Sequence, residues 1–210
     1  LSISNLTINE GGGFLIPFDS STNTNITNLT VNDGDSTYIG NNLNVSGTIT
    51  TNADLELYKV ASANSIIVNS GNLVVDSDCT ATNVTVKGEM NVANTFTCSG
   101  TIENQGKLLV GVAPNGSNSG NTGSFSGSSG TINNYGTVQI YGDASFGTVN
   151  NKYNTANSKG SVFYSGVDIF NPATTSITTF NNEASCQLIC PDILQVGTVV
   201  NIEFDILGKY

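Results

Sequence analysis

The chain has 210 residues, with 16 acidic against 6 basic side chains for a formal charge of −10, and it contains no His and no Trp. All its basic residues are Lys, and only 10% of the chain is charged, against about 25% in an average soluble domain. Without His it lacks the usual neutral-pH acid/base and the commonest transition-metal ligand; without Arg it lacks the bidentate clamp for phosphate. The negative charge repels nucleic acid and anionic membranes, and no apolar run approaches the roughly twenty residues of a membrane span. These features argue against nucleic-acid binding, membrane insertion and catalysis.

Taken in chain order, short apolar-alternating pieces begin at once, with Asn5-Leu6-Thr7-Ile8-Asn9 and Asn28-Leu29-Thr30-Val31-Asn32. Between them Gly11-Gly12-Gly13 precedes an apolar patch, Phe14-Leu15-Ile16-Pro17-Phe18, read as a cap or a contact for a neighbour. The theme returns at Leu43-Asn44-Val45, Leu55-Glu56-Leu57, Ile66-Ile67-Val68 and Leu73-Val74-Val75. Over residues 84–110 it becomes a six-residue step: Val84-Thr85-Val86-Lys87-Gly88-Glu89, Met90-Asn91-Val92-Ala93-Asn94-Thr95, Phe96-Thr97-Cys98-Ser99-Gly100-Thr101, Ile102-Glu103-Asn104-Gln105-Gly106-Lys107. Apolar residues at the first and third positions give a strand with one buried face. Gly or Asn at the fifth supplies a corner.

Residues 114–130 are nearly all Gly, Ser and Asn and read as a loop leaving one corner, because such a stretch buries too little to offset its ordering entropy. The step resumes at Ile132-Asn133-Asn134-Tyr135-Gly136-Thr137 and Val138-Gln139-Ile140-Tyr141. From residue 171 the rhythm changes, with Pro172, Pro191 and two Cys. Residues 199–207 alternate well and form the best edge or exchanged strand.

Three six-residue faces give a coil of about eighteen residues, within the range of repeats that stack into solenoids. The expected fold is therefore all-β, a parallel β-helix with capping segments, against an antiparallel sandwich or jelly roll as the alternative. The expected organisation is an N-terminal strand and cap at 1–41, solenoid at 42–170, and a C-terminal cap at 171–210.

Candidate sites follow from the spacing. Cys98 takes an inward position and Cys79 lies about one coil earlier, offset by one residue. Cys186 and Cys190 can meet only across a turn. Intrachain disulfides, bonds between subunits and free thiols all remain open. Asp33 with Asp35, and Asp76 with Asp78, are candidates for Ca²⁺; their plain reading is turn formation. No other cofactor is expected, and no catalytic residue is assigned, since the carboxylates are scattered singly. Six glycosylation sequons, at Asn5, Asn25, Asn28, Asn44, Asn83 and Asn115, are about what chance gives at this composition. The sequence begins with Leu rather than Met, which suggests a mature, processed chain or a fragment, and the abundance of Asn and Thr with four Cys suggests an extracellular or cell-surface setting.

The phrases Gly71-Asn72-Leu73-Val74-Val75, Thr101-Ile102-Glu103-Asn104-Gln105-Gly106 and Gly130-Thr131-Ile132-Asn133-Asn134-Tyr135-Gly136-Thr137 resemble coils of filamentous-haemagglutinin-type adhesins. The Gly-punctuated run over 84–106 is similar to that of bactofilins. The two resemblances share one implication, a β-solenoid structural protein. The expected function is a non-enzymatic subunit that self-assembles into a filament, sheath or surface layer. The open ends of a solenoid expose unpaired backbone groups that template pairing. Leu1, Ile3, Leu6 and Ile8 at one end and Val200, Ile202, Phe204 and Ile206 at the other are the candidate assembly strands. The rival reading is an adhesin or viral-fibre segment that presents Tyr135, Tyr141, Tyr153 and Tyr164 to surface glycans. A polysaccharide-cleaving enzyme, which would need paired carboxylates in a groove, is the third.

Overall fold

In a computed structural model, which describes residues 2–9, 15–16, 23–32, 37–111, 123–165, 173–190 and 193–200, the chain winds into a parallel β-solenoid of about 9 turns. Each turn gives a long strand to one sheet and a short strand to a second. The first four turns are β1 (Ser2–Ile8) with β2 (Leu15–Ile16), β3 (Asn23–Val31) with β4 (Thr37–Ile39), β5 (Asn42–Thr51) with β6 (Leu55–Leu57), and β7 (Ala61–Val68) with β8 (Asn72–Val75). Next come β9 (Cys79–Val86) with β10 (Glu89–Val92), then a turn whose long strand is split into β11 (Phe96–Cys98) and β12 (Thr101–Asn104), followed by β13 (Lys107–Val110). The last turns are β14 (Phe125–Asn134) with β15 (Thr137–Ile140), β16 (Ala144–Asn151) with β17 (Val162–Ser165), β18 (Thr174–Asn182) with β19 (Gln187–Ile189), and finally β20 (Ile193–Val200).

Both sheets stack these strands in chain order, and every pairing between named strands is parallel. The antiparallel alternative is excluded. The one antiparallel bridge among the described residues, Asn154 with Lys159, closes a small exposed hairpin. Parallel pairing runs unbroken from Ser2 to Val200, so the sheets show no boundary at residue 41 or 171. The loop expected over 114–130 is shorter at its end than its composition implied: residues 112–122 lie outside the described ones, and from Phe125 the chain is strand.

The six-residue step is the length of one face of the coil. Inward side chains come in pairs: Cys79 and Ala81, then Val84 and Val86 on β9, then Met90 and Val92 on β10. From Val84 to Ile102 the stack advances eighteen residues, but from Cys79 to Phe96 only seventeen. The corner accounts for the difference. Thr82 and Asn83 turn one coil, whereas Ser99, Gly100 and Thr101 turn the next. At a second corner Gly88, Gly106 and Gly136 lie over one another, and a Cβ on Gly106 would collide with the carbonyl oxygens of Lys87 and Gly88.

Equivalent inward positions form columns along the axis. One runs Leu6, Leu29, Ile49, Ile66, Val84, Ile102, Ile132, Val149, Phe180 and Val199 without a polar interruption. Phe96, Phe125, Phe146 and Phe163 pack in sequence through the later turns, with centroids 5.5, 4.6 and 5.2 Å apart. Each such side chain contributes about 1.5–3 kcal/mol on burial. The ion pair of Lys107 with Glu89, both partners over a third exposed, contributes about 0–1 kcal/mol. Packing, not charge, holds the stack.

One inward column changes chemistry halfway. It reads Ile8, Val31, Thr51, Val68 and Val86, then Asn104, Asn134, Asn151 and Asn182. The four Asn are buried, and each amide donates to the carbonyl oxygen of the next, at 2.8, 2.9 and 2.9 Å. Each amide also donates to a backbone carbonyl, those of Thr137, Val162, Gln187 and Cys186 in turn. Asn104 Oδ1 alone has no partner, because the residue stacked before it is Val86. Outside, a second set of Asn ladders runs from Asn9 through Asn32 and Asn52 to Asn69.

Replacing Asn134 by Ala breaks the inner ladder and opens a cavity, so chemical denaturation should show a loss of about 2–4 kcal/mol. The same change at exposed Asn32 should stay within about 0.5 kcal/mol. Equal losses at the two positions would contradict the structural role of the inner ladder.

Candidate functional site

The two ends of the stack are the least satisfied surfaces among the described residues. Among the described strands β1 pairs with β3 alone and β20 with β18 alone, so each has one row of backbone N–H and C=O groups at an edge that no described strand covers. Neither Ser2–Ile8 nor Ile193–Val200 contains a charged residue or a proline. Those are the residues by which sheet edges are commonly protected from pairing.

On β1, Ile3, Leu6 and Ile8 point inward and pack on Ile26, Leu29 and Val31. On β20 the inward positions are Leu194, Val196 and Val199, stacked on Thr175, Ile177 and Phe180. No further described strand covers them, and Leu194 and Val199 remain 40% and 38% exposed. Ile193 and Val200, on the outward side, are exposed as well. Of the expected assembly residues, Ile3, Leu6, Ile8 and Val200 therefore lie on open edges, while Leu1, Ile202, Phe204 and Ile206 lie outside the described residues. Sequence reading placed the C-terminal strand at 199–207 and missed Ile193, Leu194 and Val196. Their signal was present: Leu194 and Val196, then Val199 after a three-residue step, repeat the phase of Thr175, Ile177 and Phe180.

The cysteines are corrected by the register. Cys79 stacks under Phe96, and Cys98 stacks over Ala81, so the two thiols are offset by two residues rather than one. One layer of about 4.8 Å and two residues along the strand put their Cα atoms about 8 Å apart, beyond the disulfide window of about 4.4–6.8 Å. Cys186 and Cys190 flank the extended β19, which holds them apart along the chain. Cys79, Cys98 and Cys186 are buried thiols, so neither expected pair closes. Burial, with smaller contributions from Cys98 and Asp78, pushes the Cys79 thiol up to about 12. Burial raises Cys98 also, against a backbone hydrogen bond from Gly100. Cys98 Sγ lies 3.3 Å from the Thr82 carbonyl.

Of the cation candidates, Asp33 and Asp35 lie outside the described residues. Asp78 Oδ1 accepts the Thr95 N–H at 3.0 Å, tying one turn to the next. Asp54 and Asp143 do the same for Asn72 and Thr174. Among the described residues no group of three or more His, Cys, Asp or Glu side chains converges. Asp76 is raised by burial and then by Glu56 in the neighbouring turn, and its Oδ1 has no hydrogen-bond partner. Among the described residues, the recesses bordering β1 and β20, about 440 and 390 Å³, are lined by Ser, Thr, Asn, Gln, Gly and apolar side chains and by no carboxylate.

All four singled-out tyrosines are half-buried. Tyr141 accepts a 2.6 Å hydrogen bond from Gln139 Nε2, and Lys152 lies over the Tyr135 ring at 5.4 Å. The Tyr135–Lys152 contact joins adjacent turns, whereas the Tyr141–Gln139 bond lies within one turn. Compared with known proteins, the chain matches no protein family, no curated protein and no solved structure.

Two expectations follow. A thiol reagent such as DTNB should leave Cys79, Cys98 and Cys186 unmodified in the folded protein and label them on denaturation, with equal monomer mobility on reducing and non-reducing gels; a reduction-sensitive intramolecular shift would contradict the register. Because the Asp76 pKa is raised in the fold, its share of stability is fully present below the ordinary carboxylate range and is lost as pH rises through the folded value. Asp76→Asn should therefore raise Tm at pH 7, with the gain fading toward pH 3.5. A variant less stable than the parent at pH 7 would contradict it.

Proposed function

We propose that the protein is a non-enzymatic structural subunit that polymerises end to end through strand pairing, building a filament, sheath or surface layer outside the cell. The observation that carries this reading is the state of the two ends: parallel edges free of charge and proline, with lumen residues Leu194 and Val199 left exposed. An edge of this kind is a template for another strand.

Charge placement favours a linear product. Asp54, Glu56, Asp76, Asp78, Glu89, Glu103, Asp143 and Glu183 lie on the side walls or the corners between coils, not on the edge strands β1 and β20. Side-by-side contact of such walls is opposed by repulsion over about a Debye length, while end-to-end contact meets none from the edge strands. The chemistry also suits long exposure outside a cell. The sole methionine, Met90, is fully buried, and so are three of the four thiols, which protects them from oxidation.

Light scattering and negative-stain microscopy test the reading. The protein at tens of micromolar should form linear polymers. Leu194→Lys with Val199→Lys, which place charge on the open end, should give monomers with an unchanged circular-dichroism spectrum. A parent protein that stays monomeric up to about 100 μM would overturn the proposal.

A further inference from the structure

We infer that the polymer junction is head to tail in one fixed register, with β20 of one copy pairing in parallel on β1 of the next so that Val196 stacks on Ile3 and Val199 on Leu6. This rests on the end-to-end reading above and specifies its partner surface, a second copy of this chain.

The register follows from the corner. On β20 the inward residues Val196 and Val199 are three apart, because Gly197 and Thr198 turn the corner between them. On β1 the inward residues Ile3 and Leu6 are also three apart, across Ser4 and Asn5. Within the first sheet this spacing stacks on itself without a shift, both from Ile3 and Leu6 to Ile26 and Leu29 and from Ile177 and Phe180 to Val196 and Val199. Sliding the junction by two residues would set Val196 against Asn5 and put a corner over a straight segment. Sliding by one would turn the lumen residues outward. The single register that matches both corner and lumen continues two apolar columns from copy to copy: Ile26, Ile3, Val196, Ile177, and Leu29, Leu6, Val199, Phe180.

The outer ladders set the polarity. In the early turns each Asn amide donates toward the N-terminal neighbour: Asn28 to Asn5 at 2.9 Å, Asn32 to Asn9 at 3.0 Å, and Asn44 to Asn25 at 3.2 Å. With Asn5 Oδ1 thereby occupied, its NH₂ is the group left to donate to a further strand. In the inferred register the residue opposite Asn5 is Thr198, whose hydroxyl accepts that donor. Two N-terminal ends placed together would set donor against donor. Two C-terminal ends would meet with strands antiparallel, in a sheet that is otherwise parallel throughout. A head-to-tail contact does not close on itself by two-fold symmetry and extends as a filament.

Cysteine cross-linking in a Cys190→Ser background reads the register. Thr198→Cys with Asn5→Cys places two sulfurs on directly opposed residues about 4.8 Å apart, inside the disulfide window. Mild oxidation should then yield a ladder of covalent multimers on non-reducing gels. Thr198→Cys with Thr7→Cys, two residues out of register, should give at least about tenfold less. Gln195→Cys with Ser2→Cys reads the same register on the other side of the corner, should one pair disturb assembly. Covalent dimers from Thr198→Cys alone, or from Asn5→Cys alone, would show symmetric ends and overturn the inference. Parent polymers with no ladder from either matched pair would overturn the register while leaving polymerisation standing. A monomeric parent would overturn both.

Discussion

The structure depends on one constraint: parallel, in-register stacking brings each residue beside its own equivalent in the next turn, at the spacing of a β-ladder. Only chemistry that tolerates itself as a neighbour can be repeated under that rule. Aliphatic groups do, as the column from Leu6 to Val199 shows. Amides do, since an amide is donor and acceptor at once, and phenyl rings do. Charges of one sign do not. Among paired residues no carboxylate stacks directly on another: Glu56 sits between Tyr38 and Val74, Glu89 between Asn72 and Lys107, Glu103 between Thr85 and Asn133. Asp76, whose pKa is raised chiefly by burial, is raised further by Glu56 in the neighbouring turn, which shows the cost of bringing carboxylates together. The low charged fraction of the sequence follows from the geometry of the coil.

The same rule explains what could be read in advance. The six-residue step over 84–110 is visible because face length repeats there and glycine recurs at one corner, where Gly88 and Gly106 lie too close to the preceding turn for a Cβ. Coil length, strand direction and the inward position of Cys98 follow from it. The partner of Cys98 does not, because corners take either two or three residues. The two-residue corner at Thr82-Asn83, one residue short of the eighteen-residue coil, sets Ala81 rather than Thr80 under Cys98, two residues away from Cys79, and with it goes the disulfide.

Two other features were hidden for physical reasons. Gly127 and Gly130 carry the composition of a loop, yet a side chain on Gly127 would strike the Phe125 ring and one on Gly130 would meet the Gly100 carbonyl. Their glycines serve packing rather than flexibility. The Asn content reads as surface, and half of each Asn-Asn pair is: Asn133, Asn150 and Asn181 ladder outside at 2.8 and 2.6 Å. Asn134, Asn151 and Asn182 turn inward by strand alternation. The recurring pair Asn133-Asn134, Asn150-Asn151 and Asn181-Asn182, always just before a corner, was the available signal that amides had entered the core.

Stacking energy is shared between neighbours, so a terminal coil holds about half the contacts of an internal one. Many solenoids spend a polar cap or a charged strand on that deficit. Here Ile193–Val200 ends the described stack with lumen side chains exposed, and Ser2–Ile8 begins it with Ile3 and Leu6 only half-buried. Repair of both deficits needs no new chemistry, only another layer of the same kind, and in the proposed polymer a second copy supplies one with the corner in the right place. On this view subunit stability and subunit association are one interaction counted inside and outside the chain. In the proposed polymer, a substitution that weakens the columns near either end weakens both together, whereas one on the side walls leaves the junction untouched.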